Sequence, residues 1–322
     1  MLKHPIKAVY LDRTSLKVSD QMITKLAELF DEWQCYHSTK SDDVIKRVKD
    51  AQIIICNKSP ITKEVIANCS KLKLILVTAT GTNNIDLIAA KAKGITVCNC
   101  QGYGTEAVSQ HTLMLMLALA GRIMDYNQAV KEGEWQRAKS FCLMHLPIME
   151  LAGKTLGIIG YGKLGQAVAK LAKAFGLKIL IGQIPNRPVS QHAISMSELL
   201  PQVDVLSLHC PLTSDTKNLI TKSELYLMKK EALLINTARG GIVNEQDLAD
   251  VLKNGHLGGA ATDVLSTEPP TEGNPLLAPD IPRLIITPHC AWATKEAQHK
   301  IIEQIIENTK AFIKGSPIHV VN

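Results

Sequence analysis

The sequence predicts an α/β protein of two doubly wound parallel-sheet domains, one of them discontinuous, with a cleft between them. Three observations carry this prediction. Short apolar runs alternate with helical patterns along the chain; Gly160-Tyr161-Gly162-Lys163-Leu164-Gly165 follows one such run and opens a helix; and Arg239, Glu268 and His289 each fall just past a separate apolar run. With 322 residues, 46% hydrophobic and 20% charged, the chain is long enough to bury two cores.

The alternation begins at residues 8–11, read as a strand, followed by a helix over 20–33. Strands at 51–56, 72–77 and 95–98 then enclose helices at 62–67 and 85–93, which makes one small parallel domain over 1–99. Residues 105–120 are apolar on all sides and predict a buried helix carrying the chain into a second domain, 100–287. The stretch 121–154, with Trp135, His145 and Pro147, reads as an arm that packs on a second subunit. Strands over 155–159, 177–181, 203–209, 232–238, 257–264 and 284–287 follow, with helices over 163–175 and 224–229. The long amphipathic pattern 295–313 predicts a helix returning to the first domain, so that 288–322 completes it. Two crossings between two lobes imply a cleft that closes on substrate.

The glycine motif has a mechanical reading. Its first glycine permits a tight turn, its second lets a pyrophosphate approach the backbone, and its third lets the helix pack on the strand. The phosphates then meet a helix N-terminus. A strand before, a helix after and a second strand on schedule make this a Rossmann-like dinucleotide site built on Gly160, Tyr161, Gly162, Lys163, Leu164 and Gly165. A P-loop is excluded, since no Gly-Lys-Ser/Thr closes the motif. The second strand ends in Gly182-Gln183-Ile184-Pro185-Asn186-Arg187, without the carboxylate that grips a ribose 2′-hydroxyl. Gln183 suits a hydroxyl and Arg187 a 2′-phosphate, so NAD and NADP both stay open.

Open α/β sheets bind ligands outside the carboxyl ends of their strands. Arg239, Glu268 and His289 therefore converge on a small molecule beside the cofactor. A carboxylate next to an imidazole favours the charged form, which casts Glu268 as the support of His289 and His289 as proton donor to a carbonyl. The guanidinium fork of Arg239 matches the carboxylate of a 2-oxo acid. Lys58, at the end of a first-domain strand, offers a second cation.

Composition narrows the classes further. The net charge of +6 comes from scattered Lys and Arg with interleaved acids, and aromatic residues make up only 4%, so no nucleic-acid surface is expected. The cysteines at 35, 56, 69, 98, 100, 142, 210 and 290 include no Cys-x-x-Cys pair and sit mostly in apolar runs; they read as thiols of a reducing compartment, with no metal site expected. No apolar signal segment opens the sequence, and its longest purely apolar run, 113–120, falls far short of the roughly 20 residues of a membrane span. A cytoplasmic protein without membrane partners is expected.

Over essentially its whole length the chain resembles the D-isomer-specific 2-hydroxyacid dehydrogenases. The matching segments are Thr80-Gly81-Thr82-Asn83-Asn84-Ile85-Asp86, Gly157 to Gly165, Asn236-Thr237-Ala238-Arg239-Gly240-Gly241, Asp263-Val264-Leu265-Ser266-Thr267-Glu268-Pro269 and Thr287-Pro288-His289. The resemblance implies Arg239, Glu268 and His289 as a catalytic triad, and backbone amides around Thr80 and Gly81 as holders of the substrate carboxylate. It implies that Asp263 holds the nicotinamide amide, and that Val108, Cys210, Pro211, Thr216, Thr237 and Ala238 line the cofactor site. It also implies a homodimer. Residues 209–213, 236–241 and 288–293 are most similar to the glycerate dehydrogenase (hydroxypyruvate reductase) branch, which implies reduction of hydroxypyruvate or glyoxylate to D-glycerate or glycolate. Ala291 stands where many relatives carry glycine, leaving Trp292 to shape the pocket. A dinucleotide-sensing, corepressor-like interaction protein on the same fold is the alternative. A hydrolase or amino-acid dehydrogenase would place Lys or Asp at the reacting centre.

Overall fold

Runs that are apolar at every position, such as Ile53–Cys56, need cover on both faces, and a parallel sheet flanked by helices supplies it. The computed structural model describes residues 5–187 and 192–322. The chain divides into two compact units, Met1–Gly104 with Ala293–Asn322, and Thr105–Trp292.

The first unit runs β1 (Lys7–Tyr10), α1 (Asp20–Ala27), β2 (Glu32–Cys35), α2 (Val44–Val48), β3 (Ile53–Cys56), α3 (Lys63–Asn68), β4 (Leu74–Val77), α4 (Leu87–Ala92) and β5 (Thr96–Cys98). Its parallel sheet has the order β2-β1-β3-β4-β5. The helix expected over 20–33 is a correction: it stops at Ala27, and Glu32–Cys35 forms the edge strand β2. Only one face of that strand is even partly covered, so its alternation lacks the apolar signature of its neighbours.

The second unit continues with α5 (Thr105–Ala120), α6 (Ile123–Lys131), α7 (Glu134–Arg137), β6 (Thr155–Ile159), α8 (Lys163–Ala174), β7 (Lys178–Gly182), β8 (Ala193–Ile194), α9 (Met196–Leu199), β9 (Val205–Leu208), α10 (Lys222–Leu227), β10 (Leu233–Asn236), α11 (Glu245–Lys253), β11 (Gly259–Thr262) and β12 (Leu284–Ile286). The seven-stranded order is β12-β11-β10-β9-β6-β7-β8, all parallel. Later strands lie on opposite sides of β6, so the topological switch point falls between β6 and β9. In register, Ile159 pairs with Leu208, Leu208 with Asn236, Asn236 with Thr262, and Thr262 with Ile286. Five strands thus end level, and the loops beyond them share one rim. Leu115, Met116 and Leu119 of α5 with Val168 and Ala172 of α8 seal one face; Leu199, Leu225, Leu248 and Val251 seal the other. Each such buried aliphatic side chain contributes about 1.5–3 kcal/mol before its entropy cost.

The helix α12 (Lys295–Ile313) has the bounds its periodicity predicts and belongs to the first unit. Thr294 caps it by accepting from Ala297 N at 3.2 Å, and Asn308 Nδ2 donates to Asn99 O at 3.0 Å. Among the described residues no single helix is long and apolar enough to cross a membrane.

Candidate active site

At the switch point, the glycine turn follows β6. Gly160 has φ of 97°, and a Cβ there would lie 2.5 Å from the backbone of His209; a Cβ on Gly165 would lie 2.2 Å from Gly160 O. Both glycines answer to the protein itself. Gly162 differs, because a Cβ there would meet nothing within 4 Å. Only an incoming group needs that position bare, and the N-terminus of α8 stands behind it, so the cradle fits the pyrophosphate of a dinucleotide.

Farther along the rim, three consecutive strands present the expected triad. Beyond β10, the Asn236 side chain turns the chain: its Oδ1 accepts from Ala238 N at 3.1 Å and its Nδ2 donates to Arg239 O at 3.0 Å. Arg239 Nη1 donates to Ala238 O at 2.7 Å, and its side chain is exposed. A Cβ on Gly240 would sit 1.9 Å from Leu265 O, so the Arg239 loop rests directly on the loop beyond β11. In that second loop Glu268 folds back: Oε1 accepts from Leu265 N at 2.9 Å while Oε2 lies 2.5 Å from His289 Nδ1. The two side chains are each 33% exposed, accessible yet engaged.

His289 has φ of 51°, the left-handed region that costs a side-chain-bearing residue about 1 kcal/mol or more. Its backbone N–H is gripped by the carbonyls of Asp263 at 2.8 Å and Thr287 at 2.9 Å. The Asp263 carboxylate, only 2% exposed, accepts from Cys290 N and Ala291 N, each at 2.9 Å, and from Thr287 Oγ1 at 2.5 Å. Asp263 is therefore a clamp on the His289 loop. Thr287 Oγ1 also pairs with His111 Nε2 of α5 at 3.0 Å.

The other expected cofactor residues divide by what already engages them. Thr237 Oγ1 pairs with Thr112 Oγ1 at 2.8 Å, and Thr112 Oγ1 also donates to Val108 O, tying α5 to the end of β10. Thr216 is fully buried and donates to Pro211 O at 2.6 Å, shaping the 211–216 loop. Burial pushes the Cys210 thiol up to about 11 and the His209 imidazole down to about 4, so neither is charged at neutral pH. Gln183 Nε2 donates to Ile184 O and Arg187 O at 3.0 and 2.8 Å, folding its own loop, with Arg187 exposed. Tyr161 and Leu164 pack partly into the core beneath the turn, while Lys163 is exposed and Trp292 half-buried.

Lys58, Thr80 and Gly81 stand in the first unit. Buried Asp12, beyond β1, accepts from Asn57 N, Lys58 N and Ser59 N at 2.8–2.9 Å and from Ser59 Oγ, and leaves the Lys58 side chain exposed. Thr80 Oγ1 donates to Cys100 O at 2.9 Å.

Sequence reading missed Asp12, His111 and the clamping role of Asp263. His111 carries a signal, as a titratable residue in a helix whose burial the sequence predicts.

Comparison with known proteins finds relatives over nearly the whole chain. Residues 113–291 match the family model of the D-isomer specific 2-hydroxyacid dehydrogenase, NAD binding domain. The chain is 43% identical to a glycerate dehydrogenase of Methylorubrum extorquens over 98% of each chain. It is 40% identical to a hydroxypyruvate reductase of Blautia hydrogenotrophica over 88% of this chain and 89% of the relative. Among solved structures, a D-lactate dehydrogenase from Aquifex aeolicus complexed with NAD and lactic acid superposes with a TM-score of 0.80 at 30% identity, covering 96% of each chain.

Proposed function

The chain belongs to the D-isomer specific 2-hydroxyacid dehydrogenase family, and from that premise we propose that it reduces hydroxypyruvate, and glyoxylate as a smaller substrate, to the corresponding 2-hydroxy acid. It is an oxidoreductase acting on CH–OH groups, with NAD(H) as its cofactor. The corepressor-like alternative is not favoured.

The observation that carries the reading is the Glu268–His289 pair, 2.5 Å apart at the rim that also bears Arg239. When bound, the nicotinamide supplies the hydride for the carbonyl carbon. Since Glu268 engages Nδ1, Nε2 is the ring nitrogen that donates a proton to the carbonyl oxygen, and recovers it in the reverse direction. Glu268 holds the imidazole in one orientation. Arg239, with one N–H bound to Ala238 O, keeps the rest of its fork for the substrate carboxylate. Trp292 bounds the pocket on the same loop as His289. The first unit's contribution is amides around Thr80 and Gly81, which rest on the resemblance, and the cation of Lys58, which rests on its place at the end of a strand.

NADPH is accepted beside NADH in this proposal, because no carboxylate stands at residues 182–187 and Arg187 is exposed there. We also propose a homodimer formed through the arm: Ile123, Met124, Trp135, Phe141, Met144 and Ile148 are 53–89% exposed, an apolar surface that a second copy would cover. The free thiols suit a cytoplasmic location. One experiment tests the whole reading: initial rates with NADH and NADPH against hydroxypyruvate, glyoxylate, pyruvate and a bulkier 2-oxo acid. Hydroxypyruvate should give the highest kcat/KM, with the two cofactors within about tenfold of each other; no turnover of any 2-oxo acid would falsify it. Light scattering during gel filtration should return twice the chain mass.

A further inference from the structure

Beside the Glu268–His289 pair lies a cluster of metal-ligating side chains, of which only Asp263 has a role assigned above. His111 of α5, Asp263 beyond β11 and Cys290 beyond β12 bring one imidazole nitrogen, one carboxylate oxygen and one sulfur within 4.8 Å of one another. We propose that this triad is a binding site for a thiophilic divalent cation of the zinc class, and that its occupation inhibits the enzyme.

Donor chemistry selects the ion. Thiolate with imidazole suits zinc, cobalt or cadmium, whereas magnesium and calcium want oxygen ligands throughout. Metal–ligand bonds of about 2.0–2.3 Å in a tetrahedral shell put neighbouring donors about 3.4 Å apart. His111 Nε2 and Asp263 Oδ1 are already 3.7 Å apart. The sulfur has farther to come, and Cys290 is exposed, so its side chain has room to turn inward and an ion has a path to it. Thr287 Oγ1 now bridges the other two, at 3.0 Å from the imidazole and 2.5 Å from the carboxylate. The entering cation replaces that bridge; Cys290 gives its thiol proton to solvent as the metal–sulfur bond forms, and a water completes the shell.

Three separate elements hold the ligands, so sequence spacing gives no zinc-site signature. The inhibitory half rests on the dehydrogenase reading above. Cys290 adjoins His289, whose backbone N–H already binds Asp263 O, so tying Cys290 to α5 freezes the segment that must deliver a proton.

Cobalt(II) is the probe for binding, because a thiolate ligand gives it a near-ultraviolet charge-transfer band that does not depend on activity. Titration of the purified full chain should develop the band to saturation at a single ion. Cys290→Ser, which leaves the other seven cysteines in place, should abolish it, and His111→Gln should weaken binding at least tenfold. Zinc should lower turnover, EDTA should restore it, and Cys290→Ser should be insensitive relative to its own metal-free rate. Absence of the band, or its survival in Cys290→Ser, overturns the site; a band with unchanged turnover overturns the inhibition. A band in a protein that turns over no 2-oxo acid would sustain the site and sink the dehydrogenase assignment instead.

Discussion

Asp12 in the first unit and Asp263 in the second are, among the described residues, the two buried carboxylates, at 7% and 2% exposure, and they do similar work. Each follows a strand and accepts backbone N–H groups from the loop that leaves the neighbouring parallel strand: residues 57–59 beyond β3 for Asp12, and 290–291 beyond β12 for Asp263. A carboxylate that binds several amides fixes a loop that has no ladder of its own to hold it. The difference lies in the company kept. The hydrogen bonds of Asp12 go to main chain and one serine hydroxyl, whereas Asp263 also bonds Thr287 and lies 3.7 Å from His111 Nε2. The first aspartate shapes a loop; the second shapes one that carries His289, the proposed proton donor, with φ of 51°.

The sharpest way to test that contrast is to remove what each loop presents. His289→Ala should lower kcat about a thousandfold with cofactor affinity, read by fluorescence titration, unchanged. Asp263→Ala comes next. It strands two amides and a hydroxyl, so stability should fall by about 3 kcal/mol and kcat about a hundredfold. Asp12→Ala should cost stability by a similar amount in urea unfolding, about 2–3 kcal/mol, but raise KM while kcat stays within about threefold. Equal losses of kcat in the two aspartate variants would erase the distinction.

The smallest effect concerns a buried titratable group with no charged partner. His209 Nε2 pairs with Ser207 Oγ at 2.9 Å, Nδ1 has no partner among the described residues, and burial pushes the imidazole from 6.5 down to about 4. Below 6.5 the unfolded chain takes up a proton that the folded chain refuses. The stability held above that value is therefore lost as pH falls toward 4, by about 2 kcal/mol between pH 7 and 5. His209→Gln should flatten that part of the urea-midpoint profile; an unchanged slope would assign it to other groups.

These differences track what a linear chain can display. The triad is legible because each member falls just beyond an apolar run, and α12 because its period and flanking Thr294 and Gly315 are strong. Edge strand β2 is hidden, since Glu32-Trp33-Gln34-Cys35 continues the amphipathic look of α1 without a glycine or proline between them to mark a strand. The helix α11 has an Asn244 cap, two acids in its first turn and a buried stripe of Leu248, Ala249, Val251 and Leu252. Clamps such as Asp12 are invisible because their partners are backbone amides, which every residue supplies. Gln183 could be placed at the cofactor's edge, but not its donation to the carbonyls of its own loop.

The seat of Gly240 against Leu265 O sets a boundary for redesign. Enlarging the pocket for bulkier acids by diversifying this position would wedge the guanidinium's loop away from the one bearing Glu268, and even alanine is too large. Saturation libraries there should return almost only the parent codon, while Trp292, half-buried at the rim, tolerates exchange and offers the productive place to start.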